Sequence, residues 1–241
     1  MSTKRFLKRL AQRSGFDIIR FNPRSSPVAR RIKLFRHFGI ELVLDVGAST
    51  GGYGDELRST GYRGRIVSFE PSSEAFRALQ LRAGADPQWQ AVQLALGSEP
   101  GEAALNLSRN RESSSFLPIR ERHTQAYPGA SYVDAEVVRI SRLDDVFALY
   151  HGEGTSTFLK IDVQGYEQQV LLGAEASLPQ IIGVQTELSL APLYEDEPTF
   201  LGLITHLEAR GFALMSLQPV IDDPVTGQLL QVDGLFFRCD P

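Results

Sequence analysis

The chain has 241 residues, 42% of them hydrophobic, and no run approaches the roughly 18 apolar residues of a membrane span, so it reads as one globular domain with a short attachment. One cysteine, Cys239, excludes an internal disulfide, and four scattered histidines lack the ligand spacing of a zinc module; with no export signal in the first sixteen residues, the composition fits a reducing, cytoplasmic setting. The net charge of −4 is uneven: residues 1–38 hold eleven Lys and Arg and one acid, Asp17, whereas the remainder holds fourteen basic and twenty-eight acidic residues.

Residues 1–38 are expected to form a basic helical arm and linker. "MSTKRFLKRLAQRSGF" alternates charge with bulk, which leaves two readings open. It is a surface for anionic lipid, a phosphorylated substrate or nucleic acid, or it is a solvated helix with Phe6, Leu7 and Leu10 docked on the body. "RFNPRSSPVARR" (20–31), with two prolines and two serines, reads as the linker.

From residue 39 to 241, β-rich runs alternate with helical segments. "ELVLDVG" (41–47) precedes a helix near 53–60. "RIVSFEP" (65–71) precedes "SSEAFRALQLRAG" (72–84), where Ser72 or Ser73 is the expected cap and Phe76, Leu79 and Leu81 the apolar face. A third strand is expected within 89–97, a fourth in "STFLKIDVQG" (156–165) before a helix at 166–174, and a fifth in "IIGVQTELSL" (181–190) before a helix near 199–209. Runs at 212–220 and 234–239, joined by "IDDPVTGQ", predict a closing antiparallel hairpin. The alternation predicts an α/β fold with a single doubly wound, mostly parallel seven-stranded sheet. Before its fourth strand, "EAALNLS" and "DAEVVRI" predict a small β excursion. Between them, residues 108–131 follow neither period and read as a lid, a binding loop or disorder.

The chemistry gathers at "LVLDVGASTGGYG" (42–54), a strand that runs into an acid and then four glycines. In an open α/β sheet, ligands sit beyond the carboxyl ends of the strands, so this turn lies at the expected site. A dinucleotide fingerprint needs G-x-G-x-x-G, yet Ala48 and Ser49 follow Gly47, and no G-K-[ST] of a P-loop follows. The remainder suits a nucleoside without phosphate. Glu70, ending the second strand, is placed to accept hydrogen bonds from a ribose diol. S-adenosylmethionine has the matching parts: a methionine end and sulfonium for the first loop, a ribose for Glu70, and an adenine for Leu96 and Gly97. NAD would also use Glu70, so an NAD-dependent oxidoreductase remains an alternative, as does a non-catalytic nucleoside-binding module.

"LDVGASTGGYG", "SFEPSSEAFRAL", "ALGSEPGEAALNLS", "ESSSF", "ISRLDDVF" and "FLKIDVQGYEQQVLLGA" stand in the order and spacing of the FkbM family of S-adenosylmethionine-dependent methyltransferases, which this chain resembles over about residues 40–190. The resemblance implies a Rossmann-like fold and O-methylation of a small hydroxylated acceptor: a sugar, a glycolipid or a polyketide-like natural product. It implies cofactor contacts from Asp45, Gly47, Ala48, Ser49, Thr50, Gly51 and Tyr53 in the first turn, and from Glu70, Pro71 and Ser72 after the second strand. Leu96, Gly97, Ser114, Asp162 and Val163 complete the set. Two positions depart from the family pattern: Ser49 where Asn is frequent, and Gln164 where Glu is frequent.

Methyl transfer to an alcohol asks the protein for alignment, water exclusion and a proton acceptor. Asp162, ending the fourth strand beside the first, is the first candidate base, followed by Glu187 on the next strand and His123 in the irregular stretch. Lys160 shares a strand face with Asp162 and is read as its partner or as facing a helix. Ser113, Ser114 and Ser115 offer hydroxyls or a turn, and Trp89 reads as core. Asp162 and Glu187 have no evident third ligand, so no metal site is assigned. Nucleic acid is disfavoured as a partner by the net −14 outside the arm.

Overall fold

The computed structural model describes residues 3–16 and 20–238, so Cys239 lies outside the described residues, as does the side chain of Phe6. The chain divides into two compact units, 1–37 and 38–241. The first contains α1 (Thr3–Arg13) and α2 (Pro27–His37). The expected linker is therefore half helix. Ser26 Oγ accepts from Ala29 N at 3.3 Å and Pro27 opens the first turn, where a proline loses no hydrogen bond.

The second unit runs β1 (Leu42–Val46), α3 (Gly52–Ser59), β2 (Arg65–Phe69), α4 (Ser73–Ala83), β3 (Trp89–Val92), β4 (Ala95–Leu96) and β5 (Gly101–Ser108). It continues through α5 (Glu121–Ala126), β6 (Tyr132–Ser141), α6 (Leu143–Val146), β7 (Thr157–Ile161), α7 (Glu167–Leu172), β8 (Ile181–Ser189), α8 (Phe200–Glu208), β9 (Phe212–Asp222) and β10 (Leu229–Arg238). Seven strands form one sheet in the order β3-β2-β1-β7-β8-β10-β9. The first five run parallel, and β10 is antiparallel to both neighbours. Every residue of β1 and β7 is buried, as expected of central parallel strands covered on both faces. Successive strands step outward from β1 to β3 and then return to β7. The crevice between β1 and β7 is thus the topological switch point.

The expected excursion is a separate three-stranded sheet, β4-β6-β5, with β5 antiparallel to β6. The expected third strand is β3, within 89–97, and the rest of that run joins the small sheet. Pairing with β2 stops at Val92, and Ala95 and Leu96 pair instead with Ile140 and Ser141 of β6. An apolar run cannot reveal that it serves two sheets in succession. Gly173, just after α7, packs on Gly97, where an added Cβ would stand 1.9 Å from the Gly97 carbonyl oxygen.

Two local expectations change. α4 buries Ala75, Leu79 and Ala83, while Leu81 is exposed on the opposite side. Neither serine caps α4 by its side chain. Glu70 Oε1 accepts from Ser72 N at 2.9 Å instead, and Glu136 accepts from Ser73 N and from the Ser73 hydroxyl. The period-less stretch is an ordered wall. Ser113, Ser115, His123 and Ala130 are buried, and Ser115 Oγ donates to Gln164 O at 2.7 Å.

The switch point is closed by a contact between two turns. Gly47 has φ +76°, and a Cβ there would lie 1.8 Å from the carbonyl oxygen of Asp162. Only the missing side chain lets the turn after β1 touch the turn after β7. Gly47→Ala is expected to destabilise the protein by about 3 kcal/mol or more, from strain and overpacking together. Urea unfolding measures this, and a loss below about 1 kcal/mol would mean that the turns are not in contact.

Candidate active site

The centre of the site is a buried ammonium. Lys160 Nζ lies 3.2 Å from Asp45 Oδ1 and 3.2 Å from Asp162 Oδ2, and it donates to Gly47 O, also at 3.2 Å. The ammonium thus makes two ion pairs and one hydrogen bond, and it sits 5.3 Å from the centre of the Tyr53 ring. Burial opposes the charge, yet Asp162 and Asp45 outweigh it and raise the Lys160 pKa above its ordinary value. Asp45 also accepts from Ser68 Oγ at 2.9 Å, which in turn accepts from Trp89 Nε1 at 3.0 Å. Fully buried, Asp45 pairs with Lys160 and does not line the cleft.

The glycine turn is held by its own backbone. Gly47 N and Ala48 N both donate to Phe69 O at 3.0 Å, and Ser49 N donates to Glu70 Oε2 at 2.8 Å. A phosphate cradle needs such amides free. Glu70 therefore rivets the turns after β1 and β2 with one carboxyl group. Burial pushes its pKa up to about 7, partly offset by the Ser72 and Ser49 amides.

The cleft beside these turns is lined by Gly47, Ser49, Glu70, Pro71, Leu96, Ser114, Asp162 and Val163 among the expected residues. Ala48, Thr50, Gly51, Ser72 and Gly97, which flank the strands, and Tyr53 of α3 do not line it. Tyr53 OH donates to Gln185 Oε1 at 3.2 Å. The sequence reading missed Leu94, Leu105, Arg111, Phe116 and Gln164 as lining residues. Four of these lie in or next to the small sheet, and no periodicity announces which of its residues face the cleft.

Gln164 joins two carboxyl groups, Asp162 and Glu187. Asp162 has its pKa lowered: burial would raise it, but Lys160 and hydrogen bonds from Gln164 and Glu187 prevail. Glu187 is pushed well above the carboxylate range by burial and by the Asp162 charge, and holds the proton of the pair. Gln164 Nε2 donates to Asp162 Oδ1 at 2.9 Å and to Glu187 Oε2 at 2.8 Å, while its Oε1 accepts from Tyr194 OH at 2.8 Å. Gln164 is held in the left-handed region, φ +57°, to reach these partners. A glutamate there would add a third carboxylate to a buried pair, so the amide fits its surroundings. Glu167 accepts from Val163 N and Gly165 N and so closes the same turn.

His123 does not join this group. It is fully buried with its ring edge against Tyr194, and burial lowers its pKa to about 4. It does not line the cleft either. Glu187 likewise stands behind Asp162 and away from the lining.

The family model described as Methyltransferase FkbM domain matches residues 45–214. The chain belongs to the FkbM methyltransferase family. No curated protein matches it. Among solved structures it is similar to an rRNA methylase from Streptococcus thermophilus, at 9% identity over 88% of this chain and 96% of that one, TM-score 0.48. It is also similar to magnesium protoporphyrin IX methyltransferase from Synechocystis with bound S-adenosylmethionine, at 12% identity over 88% and 77%, TM-score 0.45. Fibrillarin from Aeropyrum pernix aligns at 13% identity over 80% and 66%, TM-score 0.43.

Membership sets aside the nicotinamide alternative, and S-adenosylmethionine is the methyl donor of an FkbM methyltransferase. The cleft fits that molecule. Each Glu70 oxygen accepts one backbone N–H and keeps capacity for a ribose hydroxyl. Leu94, Leu96, Leu105 and Phe116 provide an apolar slot for a base, and the occupied turn amides ask for no phosphate.

Replacing Lys160 by Met is expected to cost about 3–5 kcal/mol in urea unfolding, because Asp45 would be left buried and unpaired. Adding Asp45→Asn should recover part of that loss. An equal or greater loss in the double variant would show that the pair does not act as a unit.

Proposed function

We propose that the unit from residue 38 onward is an O-methyltransferase that methylates a hydroxyl of a small acceptor: a sugar, a glycolipid or a polyketide-like natural product. The observation that carries this reading is Asp162, a carboxylate held ionised by Lys160 on the wall of the same cleft as Glu70. A base beside the cleft favours an acceptor that must lose a proton, as a hydroxyl does. S-adenosylmethionine supplies an electrophilic methyl group on a sulfonium.

The chain's own residues perform the rest. Glu70 holds the ribose, and the apolar slot and the serine wall exclude water from the reacting end. Asp162 accepts the hydroxyl proton. A weak base suffices, because an alcohol oxygen that is gaining a third substituent, the methyl group, becomes a far stronger acid than any carboxyl group. Glu187 and Gln164 are positioning residues: they fix the Asp162 carboxylate by hydrogen bonds and share its charge. The net −14 of this unit favours a small acceptor over a nucleic acid.

Incubation with labelled S-adenosylmethionine and a panel of sugars, glycolipids and polyketides should show one acceptor gaining a single methyl by mass spectrometry. Cofactor binding with no turnover on any hydroxylated compound would favour a binding module. Asp162→Asn is expected to cut turnover by about 100-fold while S-adenosylhomocysteine still binds. Wild-type turnover would reduce Asp162 to a turn acid. Glu70→Ala should weaken S-adenosylhomocysteine binding by about 1.5–3 kcal/mol in calorimetry.

The raised Glu70 pKa sets a pH dependence. Below about 7 the free carboxyl is protonated, and above it the charged form is the better acceptor for a ribose diol. Affinity for S-adenosylhomocysteine is expected to rise as pH increases through 7, and Glu70→Gln should flatten the profile. An affinity independent of pH in the wild type would remove the ribose assignment.

A further inference from the structure

The first unit carries a surface that methyl transfer leaves unused. α1 contains no acid. Leu7 and Leu10, one turn apart, are 52% and 55% exposed, and Phe16 and Phe21 beyond the helix are 72% and 67% exposed. At 3.6 residues per turn, Leu7, Leu10 and Ala11 fall within an arc of about 100°, and Lys8, Arg9, Gln12 and Arg13 occupy the remainder. The sequence repeats the pattern one turn earlier, with Phe6 four positions before Leu10 and with Lys4 and Arg5 four before Lys8 and Arg9.

An apolar stripe alone names no partner, but its flanking charge does. A nucleic acid would engage the cations and leave Leu7, Leu10, Phe16 and Phe21 in water. An anionic bilayer uses both sides, since headgroups neutralise the cations while leucine and phenylalanine enter the boundary with the acyl chains. No helix among the described residues is long and apolar enough to cross a membrane, which matches a helix lying in the surface plane. We propose that α1 lies in the interface of an anionic lipid bilayer and anchors the enzyme there, with Phe16 and Phe21 as additional apolar contacts. The acidic second unit, net −14, is repelled by the same surface, so the attraction comes from the first unit.

The test is co-sedimentation of the full-length protein with vesicles of phosphatidylcholine alone and of phosphatidylcholine mixed with phosphatidylserine. Binding to the mixed vesicles is expected to be at least 10-fold tighter, and to weaken about 5-fold for each of Arg9→Gln and Arg13→Gln. Leu7→Ala with Leu10→Ala, which keeps helix propensity, should weaken it about 10-fold or more while S-adenosylhomocysteine binding is unchanged. Absence of binding to either vesicle, or equal binding to both, would overturn the proposal. So would full retention by the double alanine variant, which would leave a purely ionic partner such as nucleic acid.

Discussion

The Lys160 ammonium is the constraint on which the rest of the site depends. A lysine is rarely buried unless its charge is paired, and here two carboxylates pair it while one carbonyl accepts its hydrogen bond. The acceptors come from β1, from the turn after it and from the turn after β7, so one charge fixes the relative position of all three. A buried ion pair is weak evidence for net stability, because desolvation opposes the Coulomb gain. What this one provides is position. The chain continues through Ser68 to Trp89, whose indole leaves no room for a Cβ at Gly54 of α3, at 2.2 Å. The helix after the glycine turn is thereby registered against the same charge.

Much of the frame was legible in the sequence, because parallel strands and amphipathic helices write different periods. β1, β2, β7 and β8, the closing hairpin and the small β excursion all follow from pattern, as does the placement of Glu70 and Asp162 at strand ends. The partner of Asp45 was not legible: a strand-end acid looks the same whatever it meets, and the pairing of β1 with β7 sets it beside Lys160. The run from Trp89 to Leu96 holds the expected third strand, but its apolar continuity hides the change of sheet after Val92. The serine-rich stretch carries no period at all, since its order comes from individual hydrogen bonds such as Ser115 to Gln164.

Gln164 shows how a departure from a family pattern can be accommodated. Its amide donates to two acids and accepts from a tyrosine, tasks a carboxylate could not combine without a further proton. Burial and the neighbouring carboxylates Asp162, Glu167 and Asp233 raise Glu187, so the charge falls on Asp162, the member that lines the cleft.

The contact between Gly173 and the Gly97 carbonyl has a consequence for the cleft. It welds the small sheet to the end of α7, and that sheet contributes one side of the cleft. A methyl group at Gly173 would wedge the small sheet away from the end of α7, and so displace that side of the cleft.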